Sequence, residues 1–129
     1  MTTATDRKFA NIAAEAHDAG MAAADRATPT PMIIIERANP FDDTSAIVKQ
    51  YEPIMGGVCG FAWVHIKGNT AFGHWAKKTR IAGGDYPSGL AIRVREFGQS
   101  LELKTAYAHA YARVLEANGI TAYAVDRID

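Results

Sequence analysis

Apolar and polar positions recur along this chain with two different periods, and the switch between them outlines the fold. The clearest stretch runs from Gln99 to Asp129. There Leu103, Ala106, Tyr107, Ala110, Tyr111, Val114 and Leu115 recur at three- and four-residue steps, an apolar stripe that predicts a helix. Glu102, Thr105, His109, Arg113 and Glu116 fall on the opposite, wet face. Ser100 can cap the first turn with its hydroxyl, and Glu102 places negative charge at the positive end of the helix dipole. Asn118-Gly119-Ile120 closes the helix, with Gly119 in the left-handed position and Ile120 folding back. Thr121–Val125 then has the β-branched and aromatic content of a strand.

Upstream, the pattern predicts a leading helix over Thr5–Arg26, with Phe9, Ile12, Ala13, Ala16 and Ala23 as a thin stripe. Gly20 weakens its middle by up to ~1 kcal/mol relative to alanine. A stripe of mostly methyl groups buries little area, so this helix is expected to be mobile or to dock on another subunit. Thr28-Pro29-Thr30-Pro31 stops it, since residues before proline avoid the helical region. The organisation read from this is an N-terminal helix and proline linker over 1–31, followed by one α/β domain over 32–129.

Met32–Glu36 reads as a buried strand, Arg37–Ser45 as a polar loop and Ala46–Glu52 as a strand near a sheet edge. After the Met55-Gly56-Gly57 turn, Val58–Lys67 alternates Cys59, Phe61, Trp63 and His65 on one face with Val58, Ala62, Val64 and Ile66 on the other. Both faces are largely apolar, which places this strand at the sheet centre. Thr70 caps a short helix over Ala71–Thr79 with Phe72, Trp75 and Ala76 as its buried stripe. Ala82–Gly89 reads as a loop, and Leu90–Phe97 as a strand with Leu90, Ile92 and Val94 inward and Arg93 and Arg95 outward. Interleaved helices and strands predict an α/β (α+β) single domain: a mixed sheet of about four to five strands with its helices packed on one face, preceded by the N-terminal helix.

Composition adds bounds. A chain of 129 residues that is 48% hydrophobic and 22% charged has room for one core. Formal net charge is zero, so no global field draws it to DNA or anionic membranes. The halves differ: residues 1–64 hold five Lys/Arg against eight Asp/Glu, and residues 65–129 hold nine against six. A lone Cys59 excludes an intramolecular disulfide, and no stretch approaches the ~20 apolar residues of a membrane span. A soluble, cytoplasmic protein is the expectation.

Candidate chemistry is sparse. Cys59 and His65 share a strand face but lie ~20 Å apart along an extended chain, and Cys59 reads as a small core hydrophobe. His17, His65, His74 and His109 lack metal-ligand spacing, with His65 meeting His74 as the best two-ligand case. Neither a metal nor a cofactor is expected. The carboxylates Asp42, Asp43, Asp126 and Asp129 read as turn-forming or ion-paired groups. The best lead is a basic cluster. Between Lys67 and Arg95 stand six cations against one acid, Asp85. Lys77, Lys78, Arg80, Arg93 and Arg95, with Tyr86 nearby, form a candidate phosphate- or ligand-binding set, since cations beside aromatics bind nucleotides and single strands. The loop AGGDYPSG lacks the GK[ST] ending of a P-loop. Tyr107, Tyr111, Phe9 and Ile12 are candidate interface residues for a homo-oligomer, a dimer or higher.

The blocks GGVCGFAWVHIKGNTAFGHWAKK (Gly56–Lys78), GQSLELKTAYAHAYARVLEANGI (Gly98–Ile120) and AYAVDRID (Ala122–Asp129), somewhat under half of the chain, resemble small uncharacterised proteins encoded by tailed bacteriophages. The resemblance implies a phage origin, the host cell cytoplasm and a compact α/β fold, and it supplies no catalytic residue. With no catalytic constellation in the residues either, the favoured reading is a non-enzymatic accessory protein. It would bind a host protein or a small host metabolite as a homo-oligomer. The alternatives are nucleotide or single-stranded nucleic-acid binding through the basic cluster, and a virion structural role.

Overall fold

A computed structural model of the chain describes residues 3–27, 35–37, 47–50, 59–98 and 100–128. In order, the elements are α1 (Ala4–Arg26), β1 (Ile35–Arg37), β2 (Ile47–Gln50), β3 (Gly60–Ile66), α2 (Ala71–Lys78), β4 (Gly83–Gly84), β5 (Leu90–Arg93), α3 (Leu101–Ala117) and β6 (Ala122–Ile128). The expected proline stop at 28–31, the loop over 38–45 and the turn at 55–57 lie outside the described residues, as do Asp42, Asp43 and Asp129.

The main sheet has the strand order β4-β5-β3-β6, and β1 and β2 pair with each other separately. Every described pairing is antiparallel. β3 is an inner strand, as its two apolar faces suggested. Its alternation then separates two environments. Ala62, Val64 and Ile66 are buried and face the helices, while Phe61, Trp63 and His65 point to the other side. The Ala82–Gly89 stretch contributes β4, a two-residue strand that glycines alone do not announce.

The helix signals are realised closely. Thr3 and Asp6 form a reciprocal capping box at the start of α1. The Thr70 hydroxyl accepts from the Gly73 N–H, and the Ser100 hydroxyl accepts from the Leu103 N–H. At the end of α3, Ile120 N–H donates to the Leu115 carbonyl and Gly119 N–H to that of Glu116, with Gly119 at φ +78. That pair of bonds is the Schellman closure read from Asn118-Gly119-Ile120. The buried face of α3 is Lys104, Tyr107, Ala108, Tyr111, Ala112 and Leu115, with Leu103, Ala106, Ala110 and Val114 only partly covered. It is rotated toward Ala108 and Ala112 because α3 packs both on the sheet and against α1.

α1 lies along α3 in the same chain. Gly20 sits against Tyr107 near one end, and Phe9 packs on Phe72 and Trp75 near the other. Ile12, Ala13 and Ala16 join Leu115, Val64, Ile66, Phe72 and Trp75 in one hydrophobic core. The methyl-rich stripe thus buries little area per residue but permits close approach, which is how a thin helix docks in cis. Tyr107, Tyr111 and Ile12 are buried in that joint and Phe9 is half-buried there. Within the single chain these residues join α1 to α2 and α3.

Candidate aromatic and arginine site on the open sheet face

The face of the sheet turned away from the helices carries an aromatic row. On β3 stand Phe61, Trp63 and His65, opposite Arg127, Val125 and Tyr123 on β6. On the other side Trp63 faces Arg93 and His65 faces Ala91 on β5. Phe61 is 38% exposed and Tyr123 55% exposed, unusual values for large apolar rings in a small domain. The rings are interleaved with cations. The Arg93 guanidinium carbon lies 5.6 Å from the Trp63 ring centroid, Arg127 lies 5.5 Å from Phe61, and Lys104 Nζ lies 5.3 Å from Phe61. These are cation–π distances. Lys104 reaches this face from α3: its stem is buried and its ammonium donates to the Gly60 carbonyl at 3.3 Å.

One acid anchors the row. Asp85 Oδ2 receives Trp63 Nε1–H at 3.2 Å and lies 2.7 Å from His65 Nδ1, while Oδ1 receives the Tyr86 N–H at 2.8 Å. Burial pushes the Asp85 pKa up, but the hydrogen bonds from His65, the Tyr86 amide and Trp63, together with the nearby His65 charge, outweigh it. The carboxyl therefore titrates below its ordinary 3.8. The His65 ring also stacks on Tyr123, with centroids 4.8 Å apart. Gly89, at φ +83, lies against the far edge of the imidazole; a Cβ there would stand 2.5 Å from His65 Cε1. Asp85 and Gly89 together fix the ring plane. Trp63, His65, Asp85, Tyr86, Tyr123 and Val125 border a cavity of about 360 Å³ on this face.

The sign of the Asp85 shift sets an acid limb for stability. Because the folded pKa is depressed, the contribution is fully present above pH 3.8 and is lost as pH falls through the lower folded value. Asp85→Asn is expected to cost about 1–3 kcal/mol near pH 7, where it leaves donors poorly matched. Melting temperatures of the two proteins should converge below pH 4. A gap in melting temperature that stays constant down to pH 3 would show that the carboxylate charge plays no part.

The sequence-predicted ligand set divides three ways. Tyr86, 92% exposed, and Arg93 belong to the open face. Arg80 and Arg95, with Arg93 at the border, line a groove between α1 and β5. Lys77 and Lys78 are exposed on the last turn of α2 and border neither cavity. Arg80 leaves α2 in the left-handed conformation, φ +65, a position that glycine usually takes. Cys59, read as a core hydrophobe, is exposed, because β3 begins one residue later and Cys59 only bridges to Ser100 at the sheet margin. His65 is paired with Asp85, and His74 is exposed on α2. Among the described residues no group of three or more metal-ligating side chains comes together. The residues that sequence reasoning missed are Phe61, Trp63, Tyr123, Arg127 and Lys104. For Phe61 and Trp63 the signal was the alternation of β3, whose two faces both read as apolar.

Fold and site together define a small antiparallel α/β domain with helices on one face and an aromatic, cationic surface on the other. In comparisons with known proteins, no protein-family model, no curated protein and no solved structure matches the chain.

Proposed function

We propose that the chain is a binding protein whose open sheet face holds single-stranded nucleic acid. The observation that carries this reading is the row Phe61, Trp63 and His65 on one face of an inner strand, flanked by Arg93 and Arg127. Flat rings stack on bases of any sequence, and guanidinium groups at their margins neutralise the phosphates that follow each base. Tyr86 and Tyr123 extend the ring surface. The single acid in the row, Asp85, has its oxygens engaged by His65, Trp63 and the Tyr86 amide, so less of its charge opposes a phosphate. This takes up the alternative of single-stranded nucleic-acid binding in place of a host protein or small metabolite as the target, and it moves the binding residues from the end of α2 to the sheet.

Fluorescence anisotropy of an end-labelled twelve-nucleotide single-stranded DNA or RNA tests the reading. Trp63→Leu should weaken binding roughly tenfold to a hundredfold, consistent with ~1–3 kcal/mol per stacked base. Arg93→Glu with Arg127→Glu should abolish it, and affinity should fall steeply with salt. Lys78→Glu, off the platform, should change affinity far less. Binding that ignores both salt and Trp63 would sink the proposal.

A further inference from the structure

On the opposite side of β5 a groove of about 580 Å³ opens between α1, the exit of α2 and α3. That volume lies within the ~300–1,000 Å³ of small-molecule sites. The groove exists because α1 presents Ala10, Ala13 and Ala14 to it, side chains too short to fill it. Ile81 and Ile92 line it as an apolar floor, and Arg80, Arg93 and Arg95 stand along its rim. None of the three guanidinium groups has an acidic side-chain partner among the described residues, where the one ion pair is His65–Asp85. One acid, Glu96, also borders the groove, its carboxylate accepting the Arg95 backbone N–H at 3.1 Å.

The decisive group is Tyr111. It is 3% exposed, it lines the groove, and its hydroxyl makes no hydrogen bond among the described residues. Its neighbour Tyr107 is satisfied, with its hydroxyl 2.6 Å from His17 Nδ1. Burial, and next the Glu96 charge, push the Tyr111 pKa up to about 12, so the hydroxyl keeps its proton and is a donor at neutral pH. Among the described residues the one fully buried polar side-chain atom without a partner is Thr105 Oγ1, so the Tyr111 hydroxyl is reached from the groove it lines. Here the space beside it is open and rimmed by unpaired arginines.

We infer that this groove binds a small molecule with an anionic head and a flat ring that carries an N–H donor, a nucleoside monophosphate being the representative probe. The head lies against Arg80 and Arg95, the ring rests on Ile81 and Ile92, Tyr111 donates to an acceptor on the ligand, and Glu96 accepts from the ring N–H. The inference does not rest on the strand-binding reading, because Arg93 is the only residue common to both surfaces.

Isothermal titration of the full chain with adenosine 5′-monophosphate, with adenosine and inorganic phosphate as separate arms, tests it. Saturable one-to-one binding is expected, at least roughly tenfold tighter for the monophosphate than for either fragment. Arg80→Ala with Arg95→Ala, both exposed, should raise Kd at least about tenfold. Tyr111→Phe, which keeps the ring in the core, should raise it roughly threefold to tenfold. Arg127→Ala and Phe61→Leu on the sheet face should leave it unchanged. Three results would overturn the inference: no saturable binding at millimolar nucleotide, equal affinity for inorganic phosphate alone, or loss of binding on the sheet-face variants with the groove variants unaffected. The last result would assign the nucleotide to the sheet and leave the strand-binding reading standing.

Discussion

Leu115→Ala is expected to lower the stability of the folded chain by about 2–5 kcal/mol, the range for removing a fully buried leucine and leaving part of its cavity. Leu115 has no exposed surface and belongs to the core shared by α1, α3 and the sheet. Its carbonyl also accepts the Ile120 N–H that closes α3, so the residue sits where helix packing and helix termination coincide. The substitution keeps the backbone bond and removes only side-chain contacts. Urea denaturation should show a lower midpoint with an unchanged slope. A loss well under 1 kcal/mol would mean that the core closes over the gap by moving α1.

Gly20→Ala should also destabilise, by about 1–3 kcal/mol, although alanine is the better helix former by up to ~1 kcal/mol. A Cβ at position 20 would stand 2.5 Å from Tyr107 Cδ2 and within 3 Å of two more atoms of that ring. The ring cannot swing away cheaply. It is buried, its hydroxyl is bonded to His17, and it contacts Phe97 and Tyr111 on other sides. The test separates two views of α1. If α1 were a loosely attached helix, the substitution would raise the melting temperature; if α1 packs on α3 through this glycine, it lowers it.

Local chemistry was legible and tertiary use of it was not. Caps at Thr70 and Ser100, the Gly119 closure and the inward set Leu90, Ile92 and Val94 follow from hydrogen-bonding needs and side-chain periodicity, which a sequence carries openly. Phe61, Trp63 and His65 were placed on one face correctly, yet with both faces of the strand apolar that content alone cannot say which side of a sheet the helices cover. Gly20 looked like a weakness since propensity is a property of one helix and close approach is a property of two. Lys104 and Asp85 escaped for a related reason. A charged residue is read as solvated unless its partners are known, and theirs, the Gly60 carbonyl and the Trp63–His65 pair, come from distant parts of the chain.

The strand order β4-β5-β3-β6 also makes the aromatic row depend on a pairing between distant parts of the chain. Inner strand β3 joins β6 across about half the length of the chain, from Gly60 opposite Ile128 to Ile66 opposite Ala122. The turn of α3 into β6 is local, whereas closing so long a loop carries an entropic cost before any contact rewards it. The aromatic row straddles that seam, with His65 stacked on Tyr123 and Phe61 beside Arg127. The row is therefore a property of the closed chain: each segment carries rings, and only their pairing assembles the surface.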